Sequence, residues 1–324
     1  MYEVAGISHP LIDICVEADE NLISSANLKK GQFNLIKSEA FTEIISKIDK
    51  SKCKIVIGGS VSNTLAGLHL LGIKTAEYGK IGNDEYGEIL KKNKKDKGIK
   101  CFFSEHELPT GTVLCLISPD AERTFAVCLG AATELSENDI ITEDIAKAKI
   151  IHFTGYEFES PKVRLAIRKA VAIAKEKNIL ISFDLADPGV VQRNMIDLKA
   201  FVENNVNILF ANEEEAEEFT GKPAEQAVEE LGEIVDYAIV KIGNKGSYIK
   251  VAHSGNTFKI KAHKAKAKDT TGAGDMYAAG ILYGILKQLP MEKTGKIASY
   301  TAAKVVENIG ARLNSIDISH LLEE

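Results

Sequence analysis

The sequence predicts an α/β layered fold with a mainly parallel sheet, and the prediction follows from the second half of the chain. From about residue 147 onward, four short and nearly continuous apolar runs are typical of strands that are buried on both faces: KIIHF, ILISFD, NILFAN and YAIVKIG. Helical patterns separate these runs. One is predicted over Pro161–Lys177, where proline suits the first turn and apolar residues recur at spacings of three and four. Strands that alternate with helices indicate a parallel sheet covered by helices.

The first half of the chain departs from this alternation. Val4–Ile7 is predicted as a short strand, and Ser60–Leu71 as a helix that follows a glycine pair. Two β-rich runs, Thr112–Ser118 and Arg123–Leu129, flank the turn sequence PDAE and predict a hairpin. We expect these β-rich segments to form a separate small sheet, which could serve as a lid on the α/β part.

Composition excludes several classes of function. The chain has 324 residues, 45% of them hydrophobic, which is enough for a large core. Its net charge of −6 gives no general electrostatic reason to bind nucleic acid or an anionic membrane, and the basic run Lys91–Lys100 is interpreted as a solvated helix end. No stretch reaches the roughly 18 apolar residues of a membrane span. We therefore expect a cytoplasmic protein with neither nucleic-acid nor membrane partners.

Cysteine and histidine usage supports the same compartment. The five cysteines are odd in number and contain no C-x-x-C pair, so reduced thiols are expected: Cys15, Cys53, Cys101, Cys115 and Cys128. The seven histidines show no zinc-binding spacing.

The segment DTTGAGD at Asp269–Asp275 carries the strongest chemical signal. Gly272, Ala273 and Gly274 open a helix that is predicted over Met276–Leu289. Free backbone N–H groups at a helix start form an anion site, which can stabilise a phosphoryl group in transfer. Asp275 lies in the first turn, where the helix dipole favours its ionised form; taken alone, it is also interpreted as a helix cap.

Polar residues at strand ends and two absent motifs narrow the possibilities. Ligands of α/β folds bind at the carboxyl ends of strands, where this sequence places Asp184, Asn212 and Gly243. The chain lacks G-x-x-x-x-G-K-[ST], which disfavours a P-loop fold. It also lacks G-x-G-x-x-G after the first strand, which disfavours a dinucleotide-dependent oxidoreductase.

DTTGAGD resembles the signature D-T-x-G-A-G-D of the ribokinase-like family, also called the phosphofructokinase-B (pfkB) family. Further segments resemble that family in the expected order, from about Val4 to Asn314: Gly58-Gly59-Ser60 with Asn63, GKIGNDEYG at 79–87, Asn212-Glu-Glu-Glu215, and Lys241-x-Gly243-x-x-Gly246. The resemblance implies one three-layer α/β/α kinase domain over residues 1–324, with a β-sheet lid from roughly 13–34 and 99–129.

The resemblance also implies an activity. The γ-phosphoryl group of ATP would pass to a hydroxymethyl group of a nucleoside or sugar. Asp275 would take the hydroxyl proton, while the amides of Gly272, Ala273 and Gly274 stabilise the charge together with Mg²⁺. Lid closure would exclude water.

Roles for the remaining site residues come from the same resemblance. Asp13 would accept hydrogen bonds from two sugar hydroxyls, with Gly59 and Asn63 in the same pocket. Lys241, Gly243, Gly246 and Asn308 would border the nucleotide, although Lys241 is also interpreted as a surface lysine. Asn212 and Glu215 would position Mg²⁺ through water. Asp269 and Thr271 would join the segment 307–314 in a site for a monovalent cation such as K⁺.

Other segments resemble the adenosine kinase branch: HPLIDI at 9–14, PTGT at 109–112, ERTFAVCLGAA at 122–132 and NILFANEEEAEEF at 207–219. Adenosine is therefore the favoured acceptor. Two departures concern the base pocket. His9 stands where that branch has an asparagine, and GYEFES, in which Tyr156 and Phe158 flank Glu157, aligns with the region that supplies an aromatic wall for the purine. The alternatives are a free-sugar or sugar-phosphate kinase and a non-catalytic ligand-binding protein. We expect a monomer or a homodimer.

Overall fold

The structure, a computed structural model, describes residues 2–120, 122–252 and 255–323. Its strands are β1 Val4–Ile7, β2 Leu11–Glu17, β3 Phe33–Leu35, β4 Lys54–Gly58, β5 Thr75–Gly82, β6 Lys100–His106, β7 Gly111–Ile117, β8 Arg123–Cys128, β9 Ile150–Thr154, β10 Leu180–Asp184, β11 Ile208–Asn212, β12 Tyr237–Lys241, β13 Ser247–Val251 and β14 Thr257–Ile260. Its α-helices are α1 Glu20–Ser25, α2 Ser38–Ser46, α3 Ser60–Leu70, α4 Glu85–Asp96, α5 Thr142–Ile145, α6 Gly155–Glu159, α7 Pro161–Lys177, α8 Pro188–Asn205, α9 Glu213–Thr220, α10 Ala224–Leu231, α11 Ala273–Leu286, α12 Met291–Val306 and α13 Ser319–Glu323.

The chain divides into two compact units. The main unit comprises residues 1–8, 60–78 and 136–324, and the second unit comprises residues 9–59 and 79–135. In the described part of the chain, no helix is both long and apolar enough to cross a bilayer.

A mainly parallel sheet organises the main unit. Its strand order is β14-β13-β12-β11-β10-β9-β1-β5, and all neighbours from β12 to β5 run parallel, while β13 and β14 continue the sheet in antiparallel pairing. The four apolar runs of the sequence form the consecutive strands β9 to β12. The predicted α/β fold with a mainly parallel sheet is therefore confirmed.

Side chains of alternate strand residues point to opposite faces of this sheet and separate two helical layers. On one face, α3, α11 and α12 pack on a core that includes Val4, Ile150, Phe210 and Ile239. On the other face, the rings of Phe153 in β9 and Phe183 in β10 contact each other and the ring of Phe201 in α8. The ring of Phe158 in α6 contacts those of Phe183 and Phe201. Helices on both faces of one sheet give the three layers that the family resemblance implies.

The second unit contains its own five-stranded sheet, in the order β3-β8-β7-β2-β4. The predicted hairpin is confirmed, because β7 and β8 pair in antiparallel register, although residue 121 of the PDAE turn lies outside the described residues. Inward residues such as Ile12, Ile14 and Leu114 pack against α1 and α2. The stretches 13–34 and 99–129 both lie in this unit. The observed sheet differs from the predicted stretches in two strands. β4 belongs to the sheet although it lies outside both stretches, and β6 lies within 99–129 but is not one of the five strands.

Candidate active site

Three neighbouring strands of the main unit end in polar residues at one edge of the sheet. These residues are Asp184 of β10, Asn212 of β11 and Lys241 of β12, and Asn212 and Lys241 are register partners. Lys241 Nζ donates to Asp184 Oδ2 at 2.8 Å. Only 15% of the Lys241 side chain is exposed, so the interpretation as a surface lysine is wrong. Burial acts to lower the pKa of Lys241, but the carboxylates of Asp184 and Glu215 outweigh it and raise the pKa, which keeps the ammonium charged.

Helix α11 begins beside this ammonium group. Gly272 is its N-cap with φ +79°, and an added Cβ would lie 2.6 Å from Cα of Ala311, so glycine is required there both by the backbone and by the space. A Cβ added to Gly274 would lie 3.4 Å from Lys241 Nζ. The Ala273 amide donates to the Thr270 carbonyl at 3.2 Å, so the N–H groups that follow it in the first turn are the ones offered to a ligand. These groups and the largely buried Lys241 ammonium share one place, which suits a phosphate.

Asp275 lies in the same first turn, and its carboxylate points to helix α3. Its Oδ1 accepts a hydrogen bond from Ser60 Oγ at 2.6 Å, and its Oδ2 accepts one from Asn63 Nδ2 at 2.9 Å. No side chain caps α11, so these contacts disagree with the interpretation of Asp275 as a helix cap. Burial raises the pKa of Asp275 to about 6, against the opposing effect of the bonds from Ser60 and Asn63.

Arg312 fixes the orientation of the Asn63 amide. Its Nε donates to Asn63 Oδ1 at 2.8 Å, and its Nη2 donates to Ser62 Oγ at 2.8 Å. With Oδ1 turned to a guanidinium that only donates, the Nδ2 group of Asn63 must face Asp275. The motifs assign Arg312 no role of its own, because it lies inside the segment 307–314, which the resemblance assigns as a whole to a cation site.

Asn212 and Glu215 form a capping box at the start of α9. Asn212 Oδ1 accepts from the Glu215 amide at 2.8 Å, while Glu215 Oε2 accepts from the Asn212 amide at 2.8 Å and Oε1 from Asn212 Nδ2 at 2.6 Å. Glu215 is buried, which raises its pKa to about 7; Lys241 opposes that rise and Asp184 adds to it.

The donor set around Lys241 fits a hydrated divalent cation. Three aspartates lie close enough to Lys241 or Glu215 to raise the pKa of one or both: Asp184, Asp187 and Asp275. Carboxylates are therefore concentrated around the Lys241 ammonium. Carboxylate and amide oxygens are the ligands that Mg²⁺ prefers, and Mg²⁺ keeps several waters. Among the described residues, no three His, Cys, Asp or Glu side chains are close enough to hold a metal ion.

Other predicted site residues of the main unit lie in loops. Gly246 has φ +108°, and an added Cβ would collide with the carbonyl oxygen of Ile260, so only glycine fits between β12 and β13. Gly243 starts the short 3₁₀ turn that precedes it. Asn308 is exposed and donates from Nδ2 to the Lys304 carbonyl at 2.9 Å, at the end of α12.

The segments predicted to hold a monovalent cation are in contact. Asp269 Oδ2 accepts from the Gly310 amide at 2.9 Å, and its Oδ1 accepts from both the amide and the hydroxyl of Thr271, at 3.0 and 2.6 Å. The structure thus brings residues 269–271 and the loop after α12 together, as the resemblance implies.

The GYEFES segment divides its two aromatic residues between core and surface. Phe158 is 1% exposed and belongs to the ring cluster between β10 and α8, so it cannot stack on a ligand. Tyr156 is 41% exposed and donates its hydroxyl to the Ala186 carbonyl at 3.3 Å. Of the two rings, only that of Tyr156 is accessible to a base.

Asp13 and Gly59 lie in the second unit. Asp13 is on β2, and a Cβ added to Gly58 of β4 would fall on its carboxylate, so glycine allows that strand to approach. Gly59 follows directly with φ +89°.

Comparison with known proteins gives the family. A model of the pfkB family carbohydrate kinases matches residues 27–318. An uncharacterized sugar kinase of Archaeoglobus fulgidus is 31% identical over 252 residues, which span 76% of this chain and 96% of that protein. The 5-dehydro-2-deoxygluconokinase of Bacillus subtilis is 28% identical over 262 residues, which span 77% of this chain and 80% of that protein.

Solved structures give the same result over nearly the whole chain. A probable sugar kinase from Rhizobium etli CFN 42 has a TM-score of 0.86 at 27% identity, and the adenosine kinase from Sinorhizobium meliloti has one of 0.85 at 29% identity. Each match covers 97% of this chain and 96% of the other. The resemblance stated from the motifs is confirmed, and the chain belongs to the pfkB family of carbohydrate kinases.

Proposed function

We propose that this kinase transfers the γ-phosphoryl group of ATP to a hydroxymethyl group of a nucleoside, with adenosine as the first candidate. One observation carries the reaction type. The partly buried Asp275 carboxylate, held by Ser60 and Asn63, directly follows Gly274, whose surroundings include the Lys241 ammonium. A proton acceptor and an anion site are thereby combined in the first turn of one helix.

Asp275 acts as the general base. With a pKa of about 6, its carboxylate is mostly ionised at neutral pH yet more basic than an ordinary aspartate. It takes the proton of the acceptor hydroxyl as that oxygen attacks the γ-phosphorus. The bond from the γ-phosphorus to the bridging oxygen breaks, and ADP leaves. The amides of Gly272, Ala273 and Gly274 and the Lys241 ammonium stabilise the charge on the transferred group.

Asn212 and Glu215 hold Mg²⁺ through water in this proposal. When bound, the ion supplies positive charge to the phosphate oxygens of the nucleotide. Lys241 faces the same region, and its ammonium opposes the rise that burial causes in the pKa of Glu215. Asp269, Thr271 and the loop after α12 would take a monovalent cation such as K⁺.

The acceptor class rests on the resemblance of several segments to adenosine kinases and on the likeness to the S. meliloti adenosine kinase. A sugar is the second candidate, since relatives of similar identity are named sugar kinases. We expect adenosine or another nucleoside to show the highest kcat/KM. ADP release measured with adenosine, inosine, ribose, fructose 6-phosphate and 5-dehydro-2-deoxygluconate tests this. A higher kcat/KM for any of the sugars would assign the enzyme to the second candidate.

Asp13→Ala is expected to impair use of the acceptor. We assign its carboxylate to two acceptor hydroxyls, and one lost charge-assisted contact costs roughly 1.5–3 kcal/mol, or about 10- to 150-fold in kcat/KM. The KM for ATP should stay unchanged. Glu17→Ala is the matched control, because Glu17 lies on the same strand and the same face and is exposed. Weakened ATP use with normal acceptor kinetics would contradict the assignment.

Arg312→Ala is expected to lower kcat by about 10- to 100-fold, as small misplacements of a catalytic group do. Without the guanidinium, the Asn63 amide can turn its oxygen to Asp275. The pKa of Asp275 would then rise, and the acidic limb of the kcat/KM profile should move to higher pH. Arg312→Lys keeps the positive charge but cannot donate to Asn63 and Ser62 in the same planar geometry, so it should recover only part of the lost kcat.

The control for this positioning role is Arg193→Ala, which removes a surface arginine paired with Glu159 at 2.6 Å. A purely structural Arg312 would lower the melting temperature yet leave the pH limb in place. That result would exclude an effect through Asn63.

A further inference from the structure

Two cysteines of the second unit are register partners on adjacent strands. Cys15 of β2 lies directly opposite Cys115 of β7 in the parallel pairing of that sheet. Neighbouring strands are about 4.7–4.9 Å apart, which falls within the range of roughly 4.4–6.8 Å between the Cα atoms of disulfides. Because opposed residues project to the same face, the two thiol groups lie side by side on one face of the sheet.

The two thiol groups also differ chemically. A hydrogen bond from the Cys115 thiol lowers the pKa of Cys15 to about 7, against the opposing effect of burial, and the same contact raises the pKa of Cys115. The Arg123 guanidinium favours the Cys15 thiolate, and the Asp13 carboxylate opposes it. Cys15 is half-buried and Cys115 is buried. A small oxidant would therefore meet a nucleophilic thiolate with a second thiol beside it.

The other three cysteines lack this arrangement. Burial raises the pKa of Cys53, Cys101 contacts the Ile99 carbonyl, and Cys128 contacts the Ser38 hydroxyl. In the register of β8 with β7, Cys128 is opposed by Thr112 rather than by a cysteine. In the strand pairs described for the second unit, Cys15 and Cys115 are the cysteines that face each other.

We propose that Cys15 and Cys115 form a reversible dithiol–disulfide site, which a peroxide oxidises. The Cys15 thiolate attacks one oxygen of hydrogen peroxide, the O–O bond breaks, and the released hydroxide takes up a proton to form water. The sulfur of Cys115 then attacks the sulfenic acid sulfur of Cys15. The S–O bond breaks, and the hydroxyl leaves with the Cys115 proton as a second water. Two thiols supply the two electrons that reduce the peroxide, and an external dithiol restores them by exchange.

The site is placed to affect the acceptor. Asp13 lies two residues before Cys15 on the same face of β2, opposite Val113 of β7. This part of the inference depends on the proposed role of Asp13 in binding acceptor hydroxyls. A bond between β2 and β7 would constrain the strand that carries this carboxylate, so the oxidised enzyme should have a higher KM for the acceptor and an unchanged KM for ATP.

Oxidation of the reduced full-length chain tests the site directly. After treatment with hydrogen peroxide, we expect two of the five thiols to resist alkylation and digestion to yield a peptide pair joined through Cys15 and Cys115. Dithiothreitol should restore all five. Cys53→Ser is the matched control and should still form the link, whereas Cys15→Ser and Cys115→Ser should not. Five reactive thiols after oxidation, a link between other cysteines, or Cys15 oxidised to a sulfinic acid without a link would overturn the site.

The chemical readout is independent of the kinase assay. If the reduced enzyme phosphorylates no nucleoside, the proposed function fails, while alkylation still decides whether the disulfide forms. If the link forms in an active enzyme and the acceptor KM stays the same, the coupling to Asp13 is overturned.

Discussion

Replacement of Asp275 by asparagine is expected to lower kcat by about 10²–10⁴-fold, the usual contribution of a general base. Asparagine fits the site, because its Oδ1 can accept from Asn63 Nδ2 while its Nδ2 donates to Ser60 Oγ. The hydrogen-bond network therefore survives, but the carboxylate that takes the proton is gone. Binding of ATP and acceptor should be largely retained. Turnover within about threefold of the parent would remove Asp275 from the mechanism.

The pH dependence of the parent enzyme gives a second measurement on the same residue. Its kcat/KM should fall as pH drops below about 6, because the carboxylate becomes protonated. Asp275→Asn should lack this limb in its residual activity. A limb of unchanged position in the variant would assign the titration to another group, such as Glu215, whose pKa is about 7.

The stability of Asp275→Asn has a defined sign. Burial raises the folded-state pKa of Asp275 above its ordinary value, so the folded protein binds this proton more tightly than the unfolded chain. The group therefore contributes stability at low pH that is lost as pH rises through about 6. At pH 8 the neutral asparagine should leave the melting temperature equal to or above that of the parent. A residue that merely caps the helix would give a lower melting temperature and nearly normal turnover.

The sequence predicts helix ends best where residues with strong backbone preferences, such as proline, mark them. Helix α7 spans Pro161–Lys177 as predicted, with proline in its first turn and Asn178 in the left-handed conformation after its end. Helix α11 begins at Ala273, inside the opening that the sequence predicts at Gly272–Gly274, and it ends at Leu286 rather than Leu289. Its start is defined by Gly272 packed against Ala311, a contact between distant parts of the chain.

The site residues also divide into those that short sequence patterns identify and those that depend on contacts between distant parts of the chain. The glycines and Asp275 were identified because they are consecutive in the sequence, and Asp184 and Asn212 because each ends an apolar run. Contacts such as Ser60 with Asp275 or Arg312 with Asn63 join residues more than 200 positions apart, so no periodicity or spacing indicates them. Lys241 was ambiguous for a similar reason. Its burial depends on the order of β10, β11 and β12 in the sheet, which sequence patterns do not specify.

Lys241→Met is expected to lower kcat by about 10²–10³-fold, the usual effect of losing one donor to the developing charge. Methionine has a similar length but no charge, so the amides of Gly272 to Gly274 would stabilise the transferred group without the ammonium. The substitution also leaves the Asp184 carboxylate buried without its cation, which should lower the melting temperature.

A second substitution separates the two effects. In Lys241→Met combined with Asp184→Asn, the unpaired carboxylate is gone, so the melting temperature should recover while kcat stays low. Lys250→Met is the matched control. Lys250 lies on the neighbouring strand β13 with only 12% of its side chain exposed, and it forms an ion pair with Glu229 of α10 at 2.7 Å. It should keep normal turnover. If the double variant regains activity together with stability, Lys241 serves only to neutralise Asp184, and the cation at the helix start has no part in phosphoryl transfer.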